Sequence, residues 1–230
     1  EEVKEFTSAI QAEHGAMDIV MNIAGVSTWG TVELLQNEHW KKMVDINLMG
    51  PIHVIECLLP GMVRAGKGGH LVNVSSAAGL IAMPWHAAYS ASKFGLRGIS
   101  EVLRYDLRRH RIGVSVVCPG AVKTPLVGTV DIVGADRNHP TLKKMVGRFE
   151  KHAVTPEKVA RDIIRGIKRN RFMIITSFDI KLAYWLKRKL FPLYHATMIV
   201  MNNTATRVME STRRGSKYTV KGIGDEHGAN

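Results

Sequence analysis

Short apolar runs separated by long helix-type segments constrain the fold of this chain more than any other feature. Four runs have the length and apolar content of buried strands: residues 18–22, 70–75, 112–118 and 171–176. Two segments between them have the length of long helices: residues 37–64 and 87–110. Strands that alternate with helices favour βαβ units, in which the strands run parallel and helices cover both faces of the sheet. The sequence therefore predicts an α/β fold with a doubly wound, mainly parallel sheet.

Shorter segments predict the remaining elements. Residues 2–14 have apolar side chains at helical spacing, and Gly15 follows as a helix end. Residues 121–154 are rich in loop formers, with room for one short helix within 141–151. Thr155 precedes Pro156, a pair that suits the cap and the first turn of a helix.

The charge of the chain is concentrated in its last third. The formal net charge is +12, with 32 basic and 20 acidic residues. Residues 1–142 carry 13 of each sign, whereas residues 143–230 carry 19 basic and 7 acidic residues. A uniformly basic fold is therefore excluded, and the excess charge belongs to the C-terminal part.

Several classes of protein are not indicated by the composition. Cys57 and Cys118 lie in or at the end of apolar runs and are predicted to be reduced core residues. The 10 histidines show no tetrahedral ligand spacing, so we predict no metal site. No apolar run approaches the ~18 residues of a membrane span. We also expect no nucleic-acid partner, because no recognition motif is present.

The motif with the clearest chemistry is Tyr89-Ser-Ala-Ser-Lys93. Residues i and i+4 share one face of a helix, so the phenol and the ammonium would lie together. A free tyrosine titrates near ~10 and is a poor base at neutral pH. A neighbouring cation is expected to lower the pKa of Tyr89, which would make the pair an acid/base unit near physiological pH.

Other candidate residues follow predicted strands. Ser75 and Ser76 end the run 70–75, residues 22–25 (Asn-Ile-Ala-Gly) end the first run, and residues 119–124 (Pro-Gly-Ala-Val-Lys-Thr) end the third. The carboxyl ends of parallel strands form the edge where open α/β sheets bind ligands. Asn47 lies inside a predicted helix, where a buried amide needs a partner.

The order and spacing of these motifs resemble the short-chain dehydrogenase/reductases. The matching residues are Asn22, Ala24, Gly25, Asn47, Ser76, Tyr89, Lys93, Pro119, Gly120 and Thr124. The resemblance covers about residues 1–178 and implies a Rossmann-like fold, NAD or NADP as the cofactor, and interconversion of a secondary alcohol and a ketone. It also implies a homodimer or homotetramer in a cytoplasmic location.

The resemblance implies a role for each motif. Tyr89 would be the general acid/base, Lys93 would lower its pKa and bind the nicotinamide ribose, and Ser76 would hydrogen-bond the substrate carbonyl. Asn47 would hold a water that links Lys93 to solvent. The remaining positions would contact the cofactor: Asn22, Ile23, Ala24, Gly25, Pro119, Gly120, Val122 and Thr124. Two alternatives stay open: Asn22 as a brace between strands, and Ser75 as the functional serine. The spacing of 13 residues to Tyr89 favours Ser76 over Ser75.

Two departures from the family pattern concern the cofactor. Ile23 stands where the family usually has a second asparagine, which removes one polar contact. The Gly-rich turn and the first βαβαβ portion do not precede Glu1, which at ~30 residues per βαβ unit amounts to about 60 residues. We therefore expect the sequence to be part of a longer enzyme.

Residues 179–201 combine basic and large apolar side chains at amphipathic spacing. One interpretation is an interfacial helix on an anionic membrane, which would suit a hydrophobic, lipid- or steroid-like substrate. The other is a lid or oligomer helix with a solvated basic face. We divide the chain into the main domain at 1–178, a helical extension at 179–211 and a disordered tail at 212–230. The rival function is a non-catalytic binding or scaffold protein with this fold, possibly at a membrane.

Overall fold

The computed structural model describes residues 1–136 and 138–213. The described helices are α1 Glu2–His14, α2 Asn37–Val44, α3 Gly50–Ala65, α4 Ala87–Asp106, α5 Leu126–Thr129, α6 Pro140–Lys151, α7 Pro156–Lys168, α8 Phe178–Lys189 and α9 Phe191–Arg213. The described strands are β1 Ile19–Asn22, β2 Thr28–Trp29, β3 Gly69–Val74, β4 Ile112–Val117, β5 Asp131–Ile132 and β6 Met173–Ile174. Helix α9 extends two residues into the predicted tail 212–230, and the rest of that tail lies outside the described residues.

The main sheet has the order β1-β3-β4-β6, and every pair in it is parallel. The predicted α/β fold with a parallel sheet is therefore confirmed. Asn22 pairs with Asn73, and Val74 pairs with Val117, so β1, β3 and β4 end at one edge. A second, two-stranded parallel sheet joins β2 to β5.

Burial differs between the central and the outer strands. Strands β3 and β4 supply fully buried side chains such as Leu71, Val72 and Val116. The predicted strand 18–22 is confirmed as β1, but its full burial is wrong, because Ile19 and Met21 are 47% and 40% exposed. Only alternate β1 side chains reach the core, as expected for a strand with one covered face. The fourth predicted strand, 171–176, shortens to two residues.

The predicted helix 37–64 is continuous from α2 to α3, with one wide turn in its middle. This π-helical turn, Asp45–Met49, ends where the Gly50 amide donates to the Asp45 carbonyl. Pro51 lies in the first turn of α3 and has no N–H to donate to Asn47, four residues earlier. Single π turns of this kind occur often at functional sites. The wide turn carries Asn47, which is fully buried.

The same continuous helix corrects one expectation about membranes. Asn37–Ala65 contains an 18-residue window with a mean hydropathy of 1.4, so its length and composition would suffice to cross a membrane. Core helices pass the same test, and here Leu58, Leu59 and Met62 pack in the core against β3 and β4. The length and composition of this helix therefore do not show that it crosses a membrane.

The predicted amphipathic segment 179–201 forms parts of two helices. Leu190, with a non-helical φ of −132°, ends α8, and α9 begins at the next residue. Both helices pack on the main domain. Ile180 and Tyr194 join a core cluster with Leu80 and Val116. The Tyr194 hydroxyl accepts a hydrogen bond from the Ala82 amide at 2.8 Å. The C-terminal helices thus hold the loop between β3 and α4.

Candidate active site

Three loops follow β1, β3 and β4 at one edge of the sheet, as the sequence predicts for parallel strands. The loop after β3 contains Ser76, and the predicted long helix is confirmed as α4, which brings Tyr89 and Lys93 to the same edge. Tyr89, Lys93 and Ser92 are all buried. The site is therefore assembled from strand ends on one side and one helix face on the other.

Ser76 and Tyr89 face each other across the site. Ser76 caps the short 3₁₀ turn Ala77–Gly79, and its Oγ accepts a hydrogen bond from the Ala78 amide at 3.2 Å. The Ser76 side chain is also near enough to the Tyr89 phenol to lower its pKa. The spacing that favoured Ser76 over Ser75 therefore agrees with the geometry.

The pKa of Tyr89 differs from the sequence-based expectation. Burial raises the pKa of the phenol, and the nearby Ser76 side chain opposes this shift only in part. The expectation of a lowered pKa is wrong for this structure, because removal from water penalises the phenolate. The Lys93 ammonium lies 5.8 Å from the centre of the Tyr89 ring. Tyr89 is consequently a protonated phenol at neutral pH.

Lys93 is an almost completely buried cation. It is 4% exposed, and its Nζ donates a hydrogen bond to the Val74 carbonyl at 3.0 Å. Burial lowers its pKa to about 8. An ammonium has three N–H donors, and the Val74 carbonyl accepts only one of them. The remaining donors give this group capacity for further acceptors, such as hydroxyl groups.

Ser75 has a structural role. Its Oγ donates to the Lys93 carbonyl at 2.8 Å, which ties the end of β3 to the middle of α4. Gly79 approaches the same two groups so closely that a Cβ there would overlap with Ser75 Oγ and lie 2.9 Å from the Lys93 carbonyl oxygen. The hydroxyl of Ser75 is therefore occupied, and only Ser76 faces Tyr89.

The Asn47 side chain attaches the loop after β1 to the long helix through hydrogen bonds. Its Oδ1 accepts from the Val26 amide at 2.9 Å, and its Nδ2 donates to the Val26 carbonyl at 2.9 Å. Nδ2 also lies 3.3 Å from Ser92 Oγ, on α4 beside Lys93. One amide thus links three elements of the site through a fully buried side chain.

We expect Asn47→Ala to destabilise the protein by about 2–4 kcal/mol, since it leaves both backbone groups of Val26 without their side-chain partner. Urea unfolding followed by circular dichroism measures this change. Asn203→Ala, at an exposed position of α9, is the matched control and should change the free energy of unfolding by less than about 0.5 kcal/mol. Equal effects of the two substitutions would contradict the proposed bracing role.

Gly25 keeps space open between the loop and Lys93. A Cβ at this position would lie 2.9 Å from Asn47 Oδ1 and 3.4 Å from Lys93 Nζ. Ile23 and Ala24 are exposed, with Ile23 at 60%. The predicted cofactor segment 22–25 thus presents an exposed apolar surface and one close backbone approach to the ammonium.

The Asn22 side chain points along the sheet. Its Nδ2 donates to Asn73 Oδ1 at 2.8 Å, and Asn73 Nδ2 donates to Ser100 Oγ at 2.9 Å. This buried chain of hydrogen bonds joins β1, β3 and α4. It favours the alternative in which Asn22 braces strands over a side-chain contact with a cofactor.

The loop after β4 lies beside the Ser76 turn. The Pro119 carbonyl accepts from the Ala77 amide at 2.7 Å. A Cβ on Gly120 would lie 2.9 Å from Ile180, so this loop also contacts α8 closely. Val122 forms a parallel bridge with Val154, and the Thr124 amide donates to the Val122 carbonyl at 2.9 Å. The predicted positions 119–124 are therefore held at the site by backbone contacts.

Sequence reasoning missed an aromatic group next to Tyr89. The His86 ring lies tilted by 35° against Trp29 with ring centres 4.4 Å apart, and it meets Tyr89 edge-on at 6.0 Å. Burial lowers the pKa of His86 to about 4, so its ring is neutral at pH 7. The i, i+3 spacing of His86 and Tyr89 could have identified this neighbour. Trp85 has the left-handed φ of 65°, which is unusual for a bulky residue.

A cavity of about 640 Å³ lies beyond this aromatic group. Its lining is mostly apolar and includes Met83, Trp85, Phe94, Met198 and Met209. Ser76 and Tyr89 do not line it, although Ser90 does. The cavity therefore adjoins the first turn of α4 on the side next to α9.

Neither thiol contributes reactive chemistry here. Burial raises the pKa of Cys118 to about 12, and both cysteines are free. Within residues 1–136 and 138–213, no group of three or more His, Cys, Asp or Glu side chains could hold a metal ion. The available chemistry in the described site is thus that of a phenol, a hydroxyl and an ammonium.

Comparisons with known proteins show which family the sequence resembles. The family described as short chain dehydrogenase matches residues 1–132. A CLA biosynthesis dehydrogenase/reductase from Lactiplantibacillus plantarum is 32% identical over 177 residues, which covers 70% of this chain and 61% of that protein. The 3-ketodihydrosphingosine reductase of Dictyostelium discoideum is 29% identical, with coverage of 92% and 66%.

Solved structures show the same relationship. A short chain dehydrogenase/reductase from Burkholderia phymatum, determined in complex with NAD, superposes with a TM-score of 0.73. It is 25% identical in sequence, and the match covers 83% of this chain and 72% of that one.

Proposed function

The chain belongs to the short-chain dehydrogenase/reductase family of oxidoreductases, and we propose that it interconverts a secondary alcohol and a ketone with NAD or NADP. The observation that supports this most is the proximity of the Ser76 hydroxyl to the Tyr89 phenol, with the Lys93 ammonium 5.8 Å from the centre of the same ring. Tyr89 and Lys93 are buried and Ser76 is half-buried, and the three groups lie at the carboxyl edge of the sheet. Comparable fixed dipoles stabilise charge that develops on a substrate oxygen.

The proposed chemistry uses the phenol as a proton donor. A ketone oxygen bound between Ser76 and Tyr89 would accept two hydrogen bonds, which stabilise negative charge as hydride adds to the carbonyl carbon. Tyr89 then transfers its proton to that oxygen, and the alcohol is formed. The raised pKa of Tyr89 keeps the phenol protonated at neutral pH, which favours reduction over oxidation there.

The residues around the catalytic groups suit a nicotinamide cofactor. A bound nicotinamide would supply the hydride or accept it. Lys93 has N–H donors beyond the one bonded to Val74, and these suit ribose hydroxyls. Gly25 leaves the space beside that ammonium unfilled. The exposed residues Ile23 and Ala24, together with the loop 119–124, would form the walls of the cofactor site.

Asn47 and the loop residues have supporting roles in this proposal. Asn47 would help to hold the water that connects Lys93 with solvent, because Pro51 cannot donate an α-helical hydrogen bond to its carbonyl. Val122 and Thr124 would contact the carboxamide of the cofactor, and Pro119-Gly120 would lie against the ring. Ile23 and Ala24 would provide apolar contacts on the adenosine side.

We propose a hydrophobic, lipid- or steroid-like substrate on the basis of the apolar cavity beside α9. This cavity is lined by Ala87 and Ser90, on either side of Tyr89 in α4, and would receive the remote end of a long molecule. One relative carries the name 3-ketodihydrosphingosine reductase, which describes reduction of a ketone on a lipid. The volume of the cavity is in the usual range for small-molecule sites.

Activity should therefore rise with the length of an alkyl ketone. Each buried CH₂ group contributes about 0.8 kcal/mol, so kcat/KM should increase two- to fourfold per carbon along a series of methyl ketones. Met198→Ser places a hydroxyl in the cavity and should flatten this dependence. Met201→Ser, an exposed position of the same helix, is the control. A rate independent of chain length would exclude the hydrophobic substrate without affecting the catalytic proposal.

We propose a homodimer or homotetramer that forms through the long helices. Ile46, Val102 and Tyr105 are 40%, 60% and 67% exposed on these helices. Large apolar side chains at such positions are typical of subunit interfaces.

We also propose that the protein is cytoplasmic and contacts the membrane surface through α8. Phe178, Leu182 and Trp185 are exposed and share a face of α8, with Lys181 and Lys189 next to them. Such a helix can lie in the interface of an anionic bilayer.

A further inference from the structure

A second cavity, of about 750 Å³, lies between α4, α8 and the segment that leads into β6. None of its lining residues belongs to the proposed catalytic or cofactor groups. Five of the residues that line it are cations and only one is an acid: Arg97, Arg104, Arg171, Lys187, Arg188 and Glu101. The cavity therefore concentrates positive charge in one place on the molecule.

The cations in this cavity are incompletely neutralised. Arg97 lies 3.9 Å from Glu101, at the limit of an ion pair. Its Nε is buried and has no hydrogen-bond partner in the described part of the chain. Burial and then the charge of Arg97 lower the pKa of Lys187, which indicates that like charges are held near each other. An anion bound in the cavity would offset this repulsion.

Aromatic rings hold the guanidinium groups in position. Arg97 and Arg188 lie 5.7 and 5.8 Å from the ring centre of Tyr184. Arg104 lies 5.1 Å from the ring centre of Phe172. Contact with an aromatic face limits the motion of a guanidinium group, so the group loses little freedom when it binds a ligand. Arg97 already donates to the Gly79 carbonyl and the Tyr184 hydroxyl, so Arg104, Arg171 and Arg188 would supply most of the donors to a ligand with several oxygen acceptors.

We propose that this cavity binds a phosphate group, carried either by a free phosphorylated molecule or by the headgroup of an anionic lipid. A phosphate provides more charge and more acceptor oxygens than a single carboxylate, and it matches the fork of N–H donors on arginine. A net charge of +4 among the six ionisable lining residues favours a multiply charged ligand. The exposed apolar face of α8, which includes Trp185, makes a lipid source compatible with the same chemistry.

Sodium pyrophosphate is the probe for the free source, with binding measured by isothermal titration calorimetry on the purified protein. The double variant Arg171→Gln/Arg188→Gln removes two exposed cations of the cavity and should weaken binding at least tenfold. Lys4→Gln/Arg64→Gln removes the same charge from exposed positions elsewhere and should change affinity less than twofold. The conservative variant Arg171→Lys/Arg188→Lys should recover part of the affinity. Circular dichroism checks that every variant is folded.

Phosphatidylcholine vesicles with and without phosphatidylglycerol are the probe for the lipid source. Sedimentation only with phosphatidylglycerol, lost in the cavity variant and kept in the control, would support a lipid headgroup. Pyrophosphate binding with the same variant pattern, but no sedimentation, would support a free phosphorylated ligand. The proposal is overturned if neither probe binds, or if the cavity variant and the control behave alike. Neither measurement uses turnover, so the result is independent of the proposed oxidoreductase activity.

Discussion

Tyr89→Phe should abolish turnover while the protein still folds and binds its cofactor. Phenylalanine keeps the ring, which packs with Met43, Ala78 and Ala88 and meets the edge of His86. It removes only the hydroxyl that would donate the proton. Loss of a general acid reduces rates by about 10²–10⁴-fold. We expect a loss in kcat near the upper end of this range, because no other phenol lies among the residues that form the site.

The measurement follows oxidation of NADH or NADPH with acetophenone and methyl ketones as probes, together with cofactor binding by fluorescence quenching. Tyr105→Phe makes the same chemical change on the same helix, at a side chain that is 67% exposed, and should retain full activity. Unchanged turnover in Tyr89→Phe would refute the catalytic assignment. If the unmodified protein binds the cofactor but turns over none of the probes, the rival interpretation as a non-catalytic binding protein gains support.

Sequence periodicity predicted the main elements well because apolar runs and helical spacing are local properties. The strands at Val20, Leu71 and Val116 form where short buried runs occur, and the helix that contains Tyr89 and Lys93 follows from its length and spacing. The short strands β2 and β5 were not predicted, since two residues carry no usable pattern. Their pairing depends on contacts between segments that are distant in sequence.

The arrangement of the site was predictable only in part. Parallel strand ends had to meet at one edge, so the proximity of Ser76 to the loops after β1 and β4 followed from topology. The wide turn at Asn47 and the bonds of that side chain to Val26 depend on Pro51 and on tertiary contact. The sequence alone could not assign the role of Ser75. Ser75 and Ser76 are adjacent and chemically identical, and only the structure shows in which direction each hydroxyl points.

The upward shift in the pKa of Tyr89 could not be predicted from the motif. The spacing of four residues between Tyr89 and Lys93 indicates that the ammonium is near the phenol, and this cation alone would lower the pKa of Tyr89. Burial acts in the opposite direction, and its extent depends on the whole surrounding structure. His86 and Trp29 contribute to that burial from segments with no motif of their own.

Lys93→Met should remove activity and stabilise the fold at neutral pH. The ammonium is buried, and its pKa is about 8 in the folded protein against 10.5 for an ordinary lysine. Below pH 8 the side chain is charged in both states, so the folded state bears the full cost of burying the charge, roughly 3 kcal/mol. Methionine has a similar shape and no charge, but it leaves the Val74 carbonyl without its partner, at a cost of about 1 kcal/mol. We therefore expect a gain of about 2 kcal/mol in the free energy of unfolding.

The pH dependence separates this effect from a general change in packing. Between pH 8 and 10.5 the unfolded chain binds more protons than the folded protein at this lysine, so the penalty in the unmodified protein decreases as the pH rises. The advantage of Lys93→Met should accordingly be constant below pH 8 and vanish towards pH 10.5, in denaturant unfolding curves collected across this range. Lys67→Met, at an exposed position, should show neither the gain nor the pH dependence. A destabilised Lys93→Met protein, or a gain that persists at pH 10.5, would mean that Lys93 is not a strained cation held for its chemistry.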